Sequence, residues 1–252
     1  MNITKNNSVF IVTTYISQPH HETILKLCIK RIQLFHPDSD IIILNDSHTV
    51  PISISQSDTL KIINTQYHRC GEVNAYTWAC ENKDKYEKFY YIHDSAFLIN
   101  RIVLDINTIH YRPMWYSSAN VHEDTSSSEI SEIIHKFTIN NSDIHLSAHR
   151  IQLGYGSIVF GGMAVFDKVF LEFLLEKTNL ISIAPLFKKR KLRCFFERLL
   201  YIILSDFYDI TNYTSYSVCG DILNHEQVFC SSIFLNSTIS RNPYLVKIWQ
   251  GR

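Results

Sequence analysis

This sequence predicts an α/β fold, a single domain whose mixed, mostly parallel central sheet is flanked by helices. Three observations carry that expectation. Short apolar runs of strand length recur in the first half and alternate with stretches of helical period. Two of those runs, Ile41-Ile42-Ile43-Leu44 and Phe89-Tyr90-Tyr91-Ile92, stop at polar triplets, Asn45-Asp46-Ser47 and His93-Asp94-Ser95. Only 7 Gly and 6 Pro in 252 residues leave little chain for a disordered linker.

Taken in order, Val9-Phe10-Ile11-Val12-Thr13-Thr14-Tyr15 reads as a compact buried strand, followed by a polar loop over 16–21. Ile24, Leu27, Cys28, Ile32 and Phe35 recur at helical spacing, and Pro37 ends that element. The run 41–44 is a second buried strand and Leu60–Asn64 a third. Gly71 opens a helix from about Glu72 to Asn82, and 89–92 is the next strand. This alternation argues a parallel sheet with right-handed crossovers, so the first half looks like a nucleotide-binding unit. Beyond it, Met114-Trp115-Tyr116-Ser117 and Ile158-Val159-Phe160 read as strands, with a helical patch at Ile130, Ile133 and Ile134 between them. A helix is expected over 166–175 with Val169, Phe170, Phe173 and Leu174 on one face.

Composition excludes several classes. Lys+Arg and Asp+Glu are both 24, so the basic excess that nucleic-acid binding requires is missing. Six scattered cysteines without a C-x-x-C fit reduced thiols in the cytoplasm better than a disulfide framework. Residues 1–7 are polar and lack the apolar stretch of a signal peptide. Lys188-Lys189-Arg190-Lys191 leads into an amphipathic stretch over 192–207, too short to span a bilayer. Two readings stand for 188–207: peripheral contact with an anionic membrane surface, or an ordinary half-buried helix with a solvated basic start.

Asp94 is the first candidate functional residue. In open α/β sheets ligands bind beyond the carboxyl ends of the strands, and a carboxylate there can hold a hard divalent cation against a diphosphate. A strand-end Asp that caps the next turn is the competing reading. Gly154, Gly156, Gly161 and Gly162 place four of the seven glycines within nine residues. The cluster lacks the G-K-[ST] of a P-loop, but Gly161-Gly162, between a strand and a helix, allows either close backbone approach to a ligand or a tight turn. Asp221 and Glu226 lie near the start of an expected helix after Gly220, where an acid serves as general base or as cap. Lys247 and Arg252 put two cations near the C-terminus, suited either to a diphosphate or to a frayed basic tail.

The order of these motifs resembles that of glycosyltransferases of the GT-A fold, a Rossmann-type architecture. The resemblance rests on Val9-Phe10-Ile11-Val12-Thr13-Thr14, Ile41-Ile42-Ile43-Leu44-Asn45-Asp46, His93-Asp94-Ser95, Phe160-Gly161-Gly162-Met163-Ala164-Val165-Phe166, His225-Glu226-Gln227 and Lys247-Ile248-Trp249-Gln250-Gly251-Arg252. It is similar above all to small sugar transferases of large DNA viruses, which would act in the host cytoplasm, and of bacterial surface-polysaccharide loci.

The resemblance implies a nucleotide-sugar donor, a glycan or glycoprotein acceptor, and a donor half over 1–100 with an acceptor and catalytic half over 101–252. Thr13, Thr14 and Tyr15 would lie against the nucleobase, Asp46 against the nucleoside, and His93 beside the diphosphate. Asp94 would bind Mn²⁺ or Mg²⁺, Gly161 and Gly162 would line the sugar or acceptor, Lys247 and Arg252 would share the diphosphate, and Glu226 or Asp221 would act as base in an inverting reaction. The family's Asp-x-Asp signature is reduced here to one acid, because Ile92 or His93 stands where the first Asp would be. Two other readings remain at this point: a non-catalytic relative with a degraded metal site, and a sugar nucleotidyltransferase. The latter class shows a Gly- and Arg-rich loop after its first strand, and 13–21 has none.

Overall fold

The computed structural model describes residues 7–47, 50–104, 110–117, 128–137, 158–208, 217–224, 228–229 and 244–249. Its central sheet has six strands in the order β3-β2-β1-β4-β9-β6. The strands are β1 (Ser8–Thr14), β2 (Asp40–Asn45), β3 (Leu60–Asn64), β4 (Lys88–His93), β6 (Tyr111–Pro113) and β9 (Ala164–Asp167). The first four run parallel, and β9 is antiparallel to both β4 and β6. Central strands covered on both faces must be apolar throughout, and β1 is buried at every position after Ser8. β3 lies at the sheet edge and exposes most of its residues.

Two crossover helices connect the parallel strands. α1 (Pro19–Phe35) links β1 to β2, and α2 (Glu72–Glu81) links β3 to β4. α1 starts inside the expected 16–21 loop, because Pro19 occupies the first helical turn, where no backbone N–H is needed. It stops before Pro37, with the His36 N–H returning to Ile32 O at 2.7 Å. α2 is buried over most of its circumference, since it packs against β1 and two later helices. Those are α4 (Lys168–Lys177) and α6 (Arg190–Tyr208), which follow α3 (Ser128–Lys136) and the one-turn α5 (Leu180–Ile183).

Smaller sheets flank the main one. β5 (Ala96–Leu98) pairs antiparallel with β11 (Leu245–Trp249), which pairs parallel with β10 (Val228–Phe229). β7 (Tyr116–Ser117) pairs with β8 (Ile158–Val159). The expected strand over 114–117 is thus only its last two residues. Met114 and Trp115 follow Pro113 and carry the chain from the main sheet to this small one.

Three further expectations are corrected. Phe166 lies in β9 rather than in a helix, paired with Phe89 and Tyr111 and stacked between their rings at 5.7 and 5.9 Å. Cross-strand packing outweighs local helical period there, and α4 begins only after Asp167, whose side chain caps it by accepting from Phe170 N at 3.2 Å. That shift turns Val169 outward, 45% exposed, while Phe170, Leu171 and Leu174 face the core. Gly161-Gly162 forms a 3₁₀ turn (Phe160–Gly162) between two strands, β8 and β9, not between a strand and a helix. Finally, the apolar face of α6, including Leu192, Phe195, Phe196, Leu199, Leu200 and Ile203, is buried in the core. That apolar face is therefore not available to lipid, and the segment has the form of the half-buried helix with an exposed basic start. Among the described residues no helix is long and apolar enough to cross a membrane.

Candidate functional site

The strand order reverses between β1 and β4. From β1 the chain builds outward through β2 to β3, then returns to place β4 on the other side of β1. At such a switch point the two flanking loops leave in opposite directions and open a crevice at the carboxyl ends of the strands. The register sets what lines it: Thr13 lies opposite His93, and Thr14 opposite Asn45.

Asp94, 3% exposed, sits in this crevice. Its backbone N–H donates to Thr13 O at 3.1 Å, and its Oδ2 accepts from the Thr14 hydroxyl at 2.7 Å. The Thr13 hydroxyl meets the Tyr91 hydroxyl at 3.2 Å, a group buried deeply enough that its pKa is raised well above normal. Tyr15 follows β1 directly and is 36% exposed.

The C-terminal strand completes the cluster. β11 is held on β5, and Ile248 N donates to Ser95 O at 2.8 Å. This brings the Lys247 ammonium to 2.6 Å from Ser95 Oγ and 3.3 Å from His93 Nδ1. An ammonium has no acceptor, so His93 Nδ1 must accept and the ring proton lies on Nε2. That Nε2 faces Glu72 Oε1 at 3.5 Å, and Glu72 Oε2 pairs with Arg193 Nε at 3.3 Å. Burial pushes the Glu72 carboxyl up, with the Arg193 guanidinium opposing the rise. Burial likewise raises the Cys28 thiol, the Asp94 charge adding to the rise and Lys247 opposing it, so both charged groups act on the same thiol beneath β5.

Gly161 and Gly162 close the far wall. Both have positive φ, 63° and 61°, a conformation that suits glycine. A Cβ on Gly161 would stand 2.9 Å from His93 Cε1, so the turn lies directly against the histidine ring. The Tyr76 hydroxyl donates to Gly162 O at 2.6 Å and accepts from the Tyr111 hydroxyl at 2.7 Å, which pins the turn from below.

Asp46 plays a different part from the one expected. It is 4% exposed, and its two oxygens accept from the Thr65 hydroxyl at 3.0 Å, the Asn74 amide at 3.2 Å and Gly71 N at 3.2 Å. Burial raises its pKa, and the Thr65 and Gly71 hydrogen bonds oppose that. Asp46 therefore fastens the start of α2, and with it Glu72, rather than offering a carboxylate to the crevice. The preceding loop is strained, Arg69 having φ of 66°, and the Arg193 guanidinium donates to its carbonyl at 2.9 Å.

The helix expected after Gly220 is a single 3₁₀ turn (Ile222–Asn224), and a strand has begun by Val228. Asp221 bridges to Tyr116 of β7 and accepts from Leu223 N at 3.0 Å, so it caps that turn at the edge of the small sheet. Glu226 and Arg252 lie outside the described residues.

Among the described residues the crevice offers a divalent cation few ligands. A hard cation needs several oxygen ligands, whereas the triplet offers one carboxylate, whose Oδ2 accepts from Thr14, and a serine hydroxyl bonded to the Lys247 ammonium. Among the described residues no three His, Cys, Asp or Glu side chains converge on a point. The five described cysteines form no disulfide with one another, and burial pushes Cys70 up to about 12.

Sequence reasoning missed Glu72, Arg193 and Tyr76. Glu72 and Tyr76 are i and i+4 on α2 and share a face toward β4 and the glycine turn, a spacing visible in the sequence. Arg193 was hidden within a basic run. A separate cavity of about 520 Å³, lined by Lys83, Asp84, Glu87, His110, Asp167 and Lys168, lies at the opposite end of the sheet, where β4 begins.

Among solved structures, the chain is similar to the mannosyltransferase Ktr4p from S. cerevisiae, with 9% identity over 79% of this chain and 65% of that one and a TM-score of 0.42. The same yeast protein in complex with GDP gives 11% identity over 84% and 68% of the two chains, with a TM-score of 0.42. This chain thus spans about two thirds of that protein's length. No family model and no curated protein matches the chain.

Proposed function

We propose that this protein is a glycosyltransferase that moves a sugar from a nucleotide-sugar donor to a hydroxyl group of a glycan or glycoprotein. The observation that carries this reading is the convergence of Thr13, Thr14, His93, Asp94 and Lys247 at the reversal point between β1 and β4. Tyr15 offers a face for the nucleobase, and Thr13 and Thr14 end β1 beside it, fixing the strand end through Tyr91 and Asp94. The donor diphosphate lies against the His93-Asp94-Ser95 triplet and Lys247. Gly161 and Gly162 back the His93 ring and the Glu72 side chain, so they shape the wall on the sugar's side of the crevice. The donor half, 1–100, is completed by β11 from the second half.

In the transfer step an acceptor oxygen attacks the anomeric carbon as the bond from that carbon to the diphosphate oxygen breaks. The electron pair leaves with the nucleoside diphosphate, and the acceptor proton passes to a carboxylate. Asp221 and Glu226 are the candidates for that base, and direct displacement by the acceptor oxygen it deprotonates would invert the anomeric centre.

A thermal-shift and turnover screen against UDP-, GDP-, CMP- and dTDP-sugars tests the assignment. One donor class is expected to raise the melting temperature, since a ligand at a hundred times its Kd stabilises by about 2.7 kcal/mol. The same donor should release free nucleotide on incubation. A panel in which no donor stabilises the protein or is turned over contradicts the assignment.

A further inference from the structure

In transfer from a nucleotide sugar, negative charge builds on the departing diphosphate and something positive must meet it. We propose that a fixed ammonium, Lys247, does this here in place of a divalent cation, and that Glu72 is the positioning residue that orients it. The inference rests on the donor assignment above.

Glu72, fastened by Asp46 through the amide of Gly71, sets its carboxylate 3.5 Å from His93 Nε2 without a hydrogen bond, and favours the tautomer that keeps the proton on Nε2 and leaves Nδ1 as the acceptor. His93 Nδ1 and Ser95 Oγ then supply two acceptors to the same ammonium, at 3.3 and 2.6 Å. Two acceptors on different residues of one strand-end triplet fix the position of an otherwise flexible lysine head. Main-chain pairing fixes its root as well, since Lys247 lies opposite Ala96 in the β11–β5 ladder. A lysine held at both root and tip is pre-organised, and it needs little rearrangement as charge develops.

Arg193 plays the outer part. Its guanidinium faces Glu72, half-neutralising the carboxylate so that His93 is oriented without being held as a tight ion pair. The order Arg193, Glu72, His93, Lys247, Ser95 thus runs from α6 through α2 and β4 to β11.

The test measures affinity by calorimetry, with UDP, GDP, CDP and dTDP and their parent nucleosides as probes, in EDTA and then in Mn²⁺. The wild-type protein is expected to bind one of the diphosphates equally well in both. Lys247→Met should weaken that diphosphate about tenfold to a hundredfold, the loss of a charge-assisted contact, and leave the matching nucleoside unchanged. Lys247→Arg should restore part of the loss. Glu72→Gln should weaken the diphosphate less than Lys247→Met does, again with the nucleoside unaffected. Diphosphate binding that vanishes in EDTA and returns with Mn²⁺ overturns this inference but keeps the donor assignment, and it does so on the wild-type chain whatever the variants do. A Lys247→Met protein with undiminished diphosphate affinity overturns it too. Failure of every diphosphate and nucleoside to bind removes the donor assignment and this inference together.

Discussion

Asp94→Ala is expected to lower donor turnover about a hundredfold, the cost of letting a reacting group drift by about an ångström. The side chain lost is the one that accepts from the Thr14 hydroxyl at 2.7 Å and keeps the ends of β1 and β4 in register at the crevice. Asp94→Asn retains an acceptor oxygen at the same place and should recover most of the activity. The pair of variants separates two roles for this residue. If the bond to Thr14 is what matters, Asn works and Ala fails. If Asn is as inactive as Ala, the negative charge itself is needed, and a cation-binding role for Asp94 regains its footing. Thermal unfolding of both variants, compared with wild type, shows whether the loss lies in the site or in the fold.

Tyr76→Phe should produce the largest stability loss of any single-atom change near the site. The hydroxyl is fully buried, donates to Gly162 O at 2.6 Å and accepts from Tyr111 at 2.7 Å. Its removal leaves a carbonyl and a phenol unpaired in the core, at a cost of about 3 kcal/mol. For a chain of this size that is roughly a 10 °C fall in melting temperature. Tyr111→Phe removes only the donor to Tyr76 and leaves Gly162 satisfied, so it should cost about 1 kcal/mol. Equal losses for the two variants would show that the glycine turn does not depend on Tyr76. Because that turn lies against the His93 ring, Tyr76→Phe is also expected to raise KM for the donor more than it lowers kcat.

The inner parallel strands β1, β2 and β4 were legible because each is buried on both faces, which demands an unbroken apolar run, whereas β3 at the edge exposes most of its residues. The crevice was legible for the same reason, since a polar triplet after such a run can only be a strand end. His93, Asp94 and Lys247 come together as that logic suggests, but their partners were not readable. Glu72 looks like an ordinary acid in the first turn of a helix, and nothing local says that a histidine and an arginine close on it. Asp46 carries the same strand-end signature as Asp94 but is consumed by Thr65, Asn74 and Gly71. Only tertiary packing distinguishes the two. The end of β9 reads as helix because Phe166 fits either period, and its neighbours Phe89 and Tyr111 are remote in sequence. The apolar runs over 114–117 and 158–160 reveal β7 and β8, one or two residues too long, while β6 carries too few residues to show any period.

The central claim is that the donor nucleotide seats at the carboxyl ends of β1 and β4. Hydrogen–deuterium exchange on the full chain, with and without the stabilising nucleoside diphosphate, tests it most directly. Backbone amides over 13–17, 93–96 and 245–248 are predicted to gain protection when the diphosphate binds, with no change over 83–87 or 167–169 around the cavity at the opposite end of the sheet. Protection confined to 83–87 and 167–169, with the switch-point segments unaltered, would contradict the account.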